Sequence, residues 1–386
     1  MSITQDTTAN WSFPTPIRFG PGRVAELGEA CAAAGMKAPL LVTDRTLSRT
    51  RIAAAALDAL EAAGLGRAVF DGVDPNPDEI NMAEGIAVFL EGGHDGVVAF
   101  GGGSALDLGK LVAFMARQTR PVWDFEDVGD WWTRADPDAI APIVAVPTTA
   151  GTGSEVGRAA VVTNTKTAEK KIIFHPKMLP VDVIADPRLT VGMPRAITAG
   201  TGMDAFAHCL EAYCSPHFHP MAQGIALEGM ALVKKHLPRA FAAPEDLAAR
   251  GAMMAAAIMG ATSFQKGLGA IHALSHPIGA IYGKHHGATN AVVMTEVLRF
   301  NRPAVEERLD RAAAYLGVDG GFDGFVGFVK GLRAGLRLPS TLSDFGVPRD
   351  RAEEIVEKAL VDPSCGGNPV ELTKDNVTKL LDACFG

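Results

Sequence analysis

Cysteine is scarce in this chain, and none of its cysteines forms a paired motif. The 386 residues include five cysteines at scattered positions and no CxxC pair. An odd number of widely spaced cysteines is typical of reduced thiols rather than of a disulfide framework. We therefore expect free thiols and a cytoplasmic location.

Excess positive charge is also absent. The chain has 36 Lys and Arg against 44 Asp and Glu, for a net charge of −8 and a pI near 5.7. Proteins that bind nucleic acids usually present a basic face. We therefore expect no nucleic-acid partner.

Long hydrophobic runs are missing as well. The N-terminal segment has no basic region followed by an apolar stretch, so it does not resemble a secretory signal. The most apolar segment, GAMMAAAIMGATSF at 251–264, is rich in Ala and Gly. It is shorter than the ~20 residues needed to span a bilayer, so it predicts a buried helix and no membrane partner.

The first half of the chain alternates short apolar, β-branched segments with alanine-rich segments of helical periodicity. Apolar strands separated by helices predict a parallel, doubly wound sheet. In such sheets, ligands bind at the carboxyl ends of the strands. The predicted strands lie within 39–44, 66–73, 95–103 and 141–155.

The second half has a different pattern. Beyond VIADPRLT at 183–190, Ala, Leu and Met recur at helical spacing and β-branched alternation nearly disappears. This pattern predicts an all-helical domain. The sequence therefore predicts a Rossmann-like α/β domain with a parallel sheet over 1–190, followed by an all-α domain over 191–386.

Two turns in the first half carry the residue types of a phosphate site. Glycine allows positive φ and close approach to a ligand, and a following helix offers free N–H groups. An ordinary tight turn is the alternative, but two such turns at the ends of strands in one sheet favour a phosphate site. They comprise Gly101, Gly102, Gly103 and Ser104, and then Thr148, Thr149, Thr152 and Ser154.

Asp44 ends the first of the predicted strands, LLVTD. An acid in this position can accept hydrogen bonds from a ribose diol and repel a 2′-phosphate, which would favour NAD over NADP. The alternative is that Asp44 caps the following helix. The residues alone do not separate these two interpretations.

The helical half contains two pairs of possible metal ligands, and the two members of each pair are four residues apart. Asp204 and His208 form one pair, and His272 and His276 form the other, with His286 farther along. Residues four apart share a helix face, and a carboxylate with imidazoles suits a divalent first-row metal. A surface hydrogen bond or satisfied core histidines are the alternatives. Two pairs in one helical half favour a metal site.

Four segments resemble the motifs of the iron-containing (group III) alcohol dehydrogenases, in the order found in that family. The resemblance covers nearly the whole chain. It implies the fold shared with glycerol dehydrogenases and dehydroquinate synthases, an α/β cofactor-binding domain followed by an all-α domain. The segments are GGGSALDLGK, PTTAGTGSE, GMDAFAHCLEAY and HALSHPIGAIYGKHHGATNA.

The resemblance also implies roles for individual residues. The two turns would bind the pyrophosphate and line the nicotinamide, Lys170 or its neighbour Lys171 would reach the ribose, and Asp44 would set NAD preference. His276 would lie near the nicotinamide and substrate as the catalytic residue, and Phe264 and Cys365 would line the substrate pocket. The implied metal ligands are Asp204, His208, His272 and His286.

The activity implied is that of an NAD-dependent alcohol dehydrogenase or aldehyde reductase that needs Fe²⁺, with Zn²⁺ or another divalent metal as alternatives. The cation would act as a Lewis acid on a primary alcohol or hydroxy acid, and a hydride would pass to C4 of the nicotinamide. Relatives are usually homodimers or larger homo-oligomers. A hydroxyacid–oxoacid transhydrogenase and a metal-dependent lyase like dehydroquinate synthase remain alternatives.

The remaining histidines near these motifs carry no assigned role. We expect His285 to be exposed, and His217 and His219 to lie in a solvated loop, with a substrate contact as the alternative.

Arg158 could meet an acidic group of the substrate or form a structural ion pair. Small primary alcohols, hydroxy acids and semialdehydes all remain compatible with the sequence.

Overall fold

The computed structural model describes residues 12–167 and 169–386. Within them, the chain divides into two compact units. Residues 14–192 form an α/β unit, and residues 193–386, with 12 and 13, form a helical unit. The predicted fold class, a parallel sheet with helices followed by a helical part, is confirmed.

The α/β unit is built on a six-stranded sheet in the order β1-β8-β5-β4-β2-β3. Every pairing in this sheet is parallel. All residues of β4 and β5 are buried, as expected for strands covered on both faces. The strands are β1 (Ile17–Phe19), β2 (Pro39–Val42), β3 (Val69–Phe70), β4 (Gly96–Gly101), β5 (Ile143–Pro147) and β8 (Asp182–Ala185).

The strand order reverses between β2 and β4. From β2 the chain crosses to β3 on one side and then returns to β4 on the other. Such a switch point opens a crevice at the carboxyl ends of the two strands, where ligands bind. The helices of this unit are α1 (Leu27–Ala33), α2 (Arg51–Ala62), α3 (Glu79–Glu91) and α4 (Gly103–Met115).

A two-stranded antiparallel hairpin accompanies the sheet, and the sequence analysis does not predict it. It consists of β6 (Ala159–Asn164) and β7 (Glu169–Phe174), in a register that pairs Ala159 with Phe174. Lys170 and Lys171 lie on β7. The hairpin therefore carries the lysine candidates for ribose binding.

The helical unit contains eight α-helices among its described residues. Nearly all of α5 is buried, including Asp204 and His208. All five cysteines of the chain are free, as expected. The helices are α5 (Arg195–Cys214), α6 (Pro220–Ala242), α7 (Leu247–Ser263), α8 (Ala270–Tyr282), α9 (His286–Leu316), α10 (Gly321–Gly335), α11 (Ala352–Leu360) and α12 (Lys374–Phe385).

The apolar segment noted in the sequence lies in α7. The stretch Leu247–Lys266 is long and apolar enough to cross a membrane, but 67% of its 18-residue apolar window is buried inside the protein. Burial of this kind is expected of a core helix in a soluble protein. The prediction of a buried helix is confirmed.

Candidate active site

The two sequence-predicted turns pack against each other in the α/β unit. The backbone N–H of Thr148 donates to the carbonyl of Gly101 over 2.9 Å. A Cβ atom on Gly103 would lie 2.7 Å from Cγ2 of Thr152, so a larger residue would not fit there. The turn at 101–104 also begins α4, for which the described side chains provide no N-terminal cap. Its backbone N–H groups can therefore bind an anion such as a pyrophosphate.

A buried ion pair lies beneath the second turn, and sequence reasoning missed it. Lys110 is 1% exposed, and its Nζ donates to the carbonyls of Ser154 (3.0 Å) and Ala159. Asp107 lies 3.4 Å from the same Nζ and accepts from the hydroxyl of Ser154. Burial lowers the pKa of Lys110, whereas the nearby carboxylate opposes that shift. These contacts hold the second turn against α4.

Asp44 follows β2 and makes the local contacts of a capping residue. Its Oδ1 accepts from the N–H groups of Thr46 (2.8 Å) and Leu47 (2.9 Å). The carboxylate nevertheless lies at the carboxyl end of β2, beside the switch point. The capping role and the ribose role are compatible, because two N–H groups occupy only one carboxylate oxygen.

The two lysines considered for ribose binding differ in their surroundings. Lys171 forms ion pairs with Glu169 (3.0 Å) and Glu126 (3.6 Å). Lys170 is half-buried on the same strand. Lys171 is therefore held by two carboxylates, and Lys170 stays the predicted ribose contact that the resemblance implies.

In the helical unit, three helices bring one carboxylate and three imidazoles together. The four residues are far apart in sequence, but their ligand atoms all lie within 4.8 Å of one another. Oδ1 of Asp204 lies 3.8 Å from Nε2 of His208, 3.9 Å from Nε2 of His272 and 3.4 Å from Nε2 of His286. We call Asp204, His208, His272 and His286 the four-residue cluster.

The position of each member of the cluster is set by the helix on which it lies. Asp204 and His208 lie one turn apart on the buried face of α5. His272 lies in the first turn of α8, and His286 is the first residue of α9. Converging donors of this kind, one carboxylate oxygen and three neutral imidazole nitrogens, suit a divalent transition metal.

The electrostatics of the cluster favour neutral imidazole. Burial, with a contribution from the neighbouring His276, lowers the pKa of His272 to about 4. Its ring is therefore neutral at physiological pH, as a metal ligand must be. Burial also raises the pKa of Glu211, a neighbouring carboxyl, to about 7.

Asn290 lies among the ligand atoms and was not found by sequence reasoning. Its Nδ2 donates to Oδ1 of Asp204 over 2.8 Å, and it lies 3.3 Å from Nε2 of His286 and 3.4 Å from Nε2 of His272. Its buried Oδ1 has no hydrogen-bond partner among the described residues. An amide that places a donor where three acceptor atoms converge is consistent with a cation site. The available signal was its spacing, four residues after His286 on α9.

His276 lies beside the four-residue cluster but pairs with a different acid. Its Nδ1 is 2.8 Å from Oδ2 of Asp362, and its ring stacks on that of His286 with centroids 5.3 Å apart. Asp362 was also missed, since no spacing connects it to a histidine 86 residues away. If Asp362 accepts the Nδ1 proton, Nε2 of His276 is left as an acceptor.

The two substrate-pocket candidates occupy different positions near the histidines. The Phe264 ring lies 5.2 Å from that of His208. Cys365 follows Asp362 by three residues, and its thiol donates to the carbonyl of Ala359. Burial raises the pKa of Cys365 to about 11, so it is a protonated thiol and a poor nucleophile.

One expectation for the remaining histidines is wrong. His219 is buried, not solvated, because its Nδ1 accepts from the N–H of Ala222 and caps α6. His217 is exposed. His285 is exposed as well, but its Nδ1 accepts from the N–H of Ala288 and caps α9. These capping contacts give His219 and His285 a structural role, and neither needs a role in catalysis.

Comparison with known proteins places the whole chain among related enzymes. A family model described as iron-containing alcohol dehydrogenase matches residues 14–187. A second model, for the C-terminal part of the Fe-containing alcohol dehydrogenase family, matches residues 198–385. The chain is 39% identical over 378 residues to a 4-hydroxybutyrate dehydrogenase from Cupriavidus necator, covering 95% of this chain and 97% of that one.

Solved structures give the same result. A 1,3-propanediol oxidoreductase matches with a TM-score of 0.93 and 34% identity over 98% of this chain and 100% of that chain. A sulfoacetaldehyde reductase from Bifidobacterium kashiwanohense, solved in complex with NAD⁺, matches with a TM-score of 0.89 and 30% identity over 98% of both chains. The similarity thus extends over both units.

Proposed function

The chain belongs to the iron-containing alcohol dehydrogenase family, and from this premise we propose that it oxidises small primary alcohols with NAD⁺ and reduces the corresponding aldehydes with NADH. As a member of this family it is an oxidoreductase. The convergence of one carboxylate and three imidazoles carries the proposal, because it supplies a cation site of the required chemistry.

The four-residue cluster would hold the cation, for which we propose Fe²⁺, with Zn²⁺ or another divalent ion as alternatives. When bound, a divalent cation supplies Lewis-acid chemistry, which lowers the pKa of an alcohol hydroxyl. Asn290 orients Asp204 by donating to its Oδ1. Burial of three of the four ligands excludes water from most of the site.

The turns of the α/β unit would hold NAD. The N–H groups at the start of α4 would bind the pyrophosphate, with Gly101, Gly102, Gly103 and Ser104 allowing its close approach. Thr148, Thr149, Thr152 and Ser154 would line the nicotinamide side, and Asp44 and Lys170 would contact ribose hydroxyls. The nicotinamide supplies the hydride chemistry. We propose that residues 1–190 and 191–386 act as the cofactor-binding and metal-binding domains.

His276 would serve as the proton acceptor. The hydrogen bond from its Nδ1 to Asp362 orients the ring and leaves a lone pair on Nε2. That nitrogen would take the proton of the alcohol hydroxyl during oxidation and return it during reduction. Its side chain is 20% exposed, which allows exchange of the proton with water.

For the substrate, we propose a primary alcohol of three or four carbons with a second polar group at its far end. Support comes from two of the relatives, a 4-hydroxybutyrate dehydrogenase and a 1,3-propanediol oxidoreductase. Phe264 and Cys365 would line the pocket. We further propose a cytoplasmic homodimer or larger homo-oligomer, in line with the family and with the free thiols.

The test combines metal analysis with a substrate panel. Protein purified without oxygen should contain about one divalent metal ion per chain. It should form NADH with 4-hydroxybutyrate or 1,3-propanediol faster than with ethanol or methanol. Chelation should remove metal and activity together. His272→Ala should lose both while remaining folded by circular dichroism.

Other outcomes would point to other activities. Turnover of a hydroxy acid with an oxo acid, without added free cofactor, would indicate the transhydrogenase. Bound metal with no NADH formation from any alcohol would favour a lyase. Wild-type metal content and full activity in His272→Ala would remove that residue from the ligand set.

A further inference from the structure

Glu211 is a buried carboxylate that connects two of the helices carrying the four-residue cluster. It lies on α5, three residues after His208 and seven after Asp204, so all three share one face of the helix. It is only 6% exposed. An acid this deeply buried is retained only when its oxygens are satisfied.

Both oxygens of Glu211 bind the first turn of α8. Oε1 accepts from the backbone N–H of Ile271 over 2.7 Å, and Oε2 lies 2.5 Å from Nδ1 of His272. Gly269, at the start of α8, has no side chain with which to cap the helix. Glu211 therefore caps α8 and binds the ring of His272 with the same carboxylate.

This arrangement determines which nitrogen of His272 is available to a cation. In its ionised form, Glu211 can only accept a hydrogen bond, so it holds the imidazole proton on Nδ1 and leaves the lone pair on Nε2. Nε2 is the nitrogen that faces Oδ1 of Asp204, at 3.9 Å. The contact thus sets both the rotation and the tautomer of the ring.

We propose that Glu211 is a positioning residue of the metal centre, which fixes His272 as an Nε2 ligand and aligns α8 with α5. This inference rests on the proposed metal site and extends it to a residue outside the ligand set. Its consequence is that metal affinity depends on the carboxylate as an acceptor, and not only on its contribution to packing.

Glu211→Gln tests this consequence because it preserves size. The N–H of Ile271 is a fixed donor, so the amide oxygen must face it and the amide NH₂ must face Nδ1 of His272. Nδ1 then becomes an acceptor, and the proton moves to Nε2, where it blocks coordination. Glu211→Ala loses the cap, but it leaves either tautomer accessible.

The measurement is the dissociation constant for Co²⁺ on full-length, chelator-treated protein, by competition with a chelator and by the visible spectrum of bound Co²⁺. We expect Glu211→Gln to bind about 10- to 100-fold more weakly than wild type, and more weakly than Glu211→Ala. Asn368→Ala is the matched control. Asn368 caps the same turn by accepting from Ala270 at 3.1 Å, without a described contact to a histidine. It should retain wild-type affinity.

If Glu211 acts only as a helix cap, the opposite order is expected. Glu211→Ala would then bind Co²⁺ more weakly than Glu211→Gln, and Asn368→Ala would also lose affinity. That order, or wild-type affinity in Glu211→Gln, would overturn the inference while leaving the metal site intact. Failure of the wild type to bind Co²⁺ would overturn the metal site itself, and with it the role of Glu211. If Glu211→Ala does not fold, comparing the Co²⁺ affinities of Glu211→Gln and Asn368→Ala still tests the inference.

Discussion

At the scale of single residues, one side chain can have a structural contact and a proposed chemical role. Asp44 supports the turn after β2 through one oxygen and places its charge at the carboxyl end of that strand. Two backbone N–H groups bound to one carboxylate oxygen stabilise the turn. Most substitutions of Asp44 would remove both its hydrogen bonds to the turn and its negative charge. A substitution that keeps the hydrogen bonds and removes only the charge would separate the two.

Asp44→Asn should separate the two tasks. The amide oxygen can still accept from Thr46 and Leu47, but the negative charge that would repel a 2′-phosphate is gone. We expect kcat/KM with NADPH to rise relative to NADH, with little change in thermal stability. Asp44→Gly should show the same shift in preference and also lose roughly a few tenths of a kcal/mol of stability with the cap. Faster turnover of NADPH than NADH by the wild type would refute the role assigned to Asp44.

At the scale of helices, the four-residue cluster depends on the close approach of α5 and α9. A Cβ atom on Gly287 would lie 2.1 Å from the carbonyl oxygen of Gly200 and 2.8 Å from Cβ of Asp204. Gly287 follows His286 directly. The absence of a side chain therefore allows α9 to bring His286 within reach of Asp204.

Gly287→Ala should separate these helices. Because the contact is with backbone, the added methyl group can be accommodated only by moving α9, and we expect a loss of about 1–3 kcal/mol. Co²⁺ affinity should fall as His286 moves away from Asp204. Gly327→Ala on α10 is the control, because nothing lies within 4 Å of its added Cβ. It should be neutral or stabilising by up to ~1 kcal/mol. Equal metal affinity in the two variants would show that the contact does not determine the site.

At the scale of the whole molecule, each compact unit would bind its own ligand. The candidate metal site lies within the helical unit, and the candidate NAD site lies within the α/β unit. A ligand that binds only the native state stabilises the part of the protein that it binds, by about 2.7 kcal/mol at one hundred times its Kd. The distribution of tryptophan allows the two units to be followed separately.

Trp123, Trp131 and Trp132 lie in the α/β unit, and Trp11 lies outside the described residues. Tryptophan fluorescence should therefore report mainly the α/β unit, whereas circular dichroism at 222 nm should report mainly the helical one. We expect added Zn²⁺ to raise the dichroism midpoint more than the fluorescence midpoint, and NAD⁺ to do the reverse. Equal shifts of both midpoints with each ligand would show that the units unfold together.

Much of the fold follows from local patterns in the chain. The alternation of apolar strands with helices predicts the parallel sheet, and the change of pattern after 183–190 predicts the helical part. The hairpin β6–β7 was not predicted, because a short antiparallel pair depends on the partner strand more than on its own residues. His219 was placed in solvent for a similar reason, since its burial results from the cap that it provides to α6.

The sequence by itself determined the family, the fold class and the helical pairs, because motif order and spacing within one helix are properties of neighbouring residues. Asp204 and His208 must share a face of α5 whatever surrounds them, and so must His272 and His276 on α8. Only the tertiary structure decided that His272 meets Glu211 and that His276 meets Asp362, 61 and 86 residues away. Such partners depend on how helices pack, and no periodicity along the chain encodes that contact.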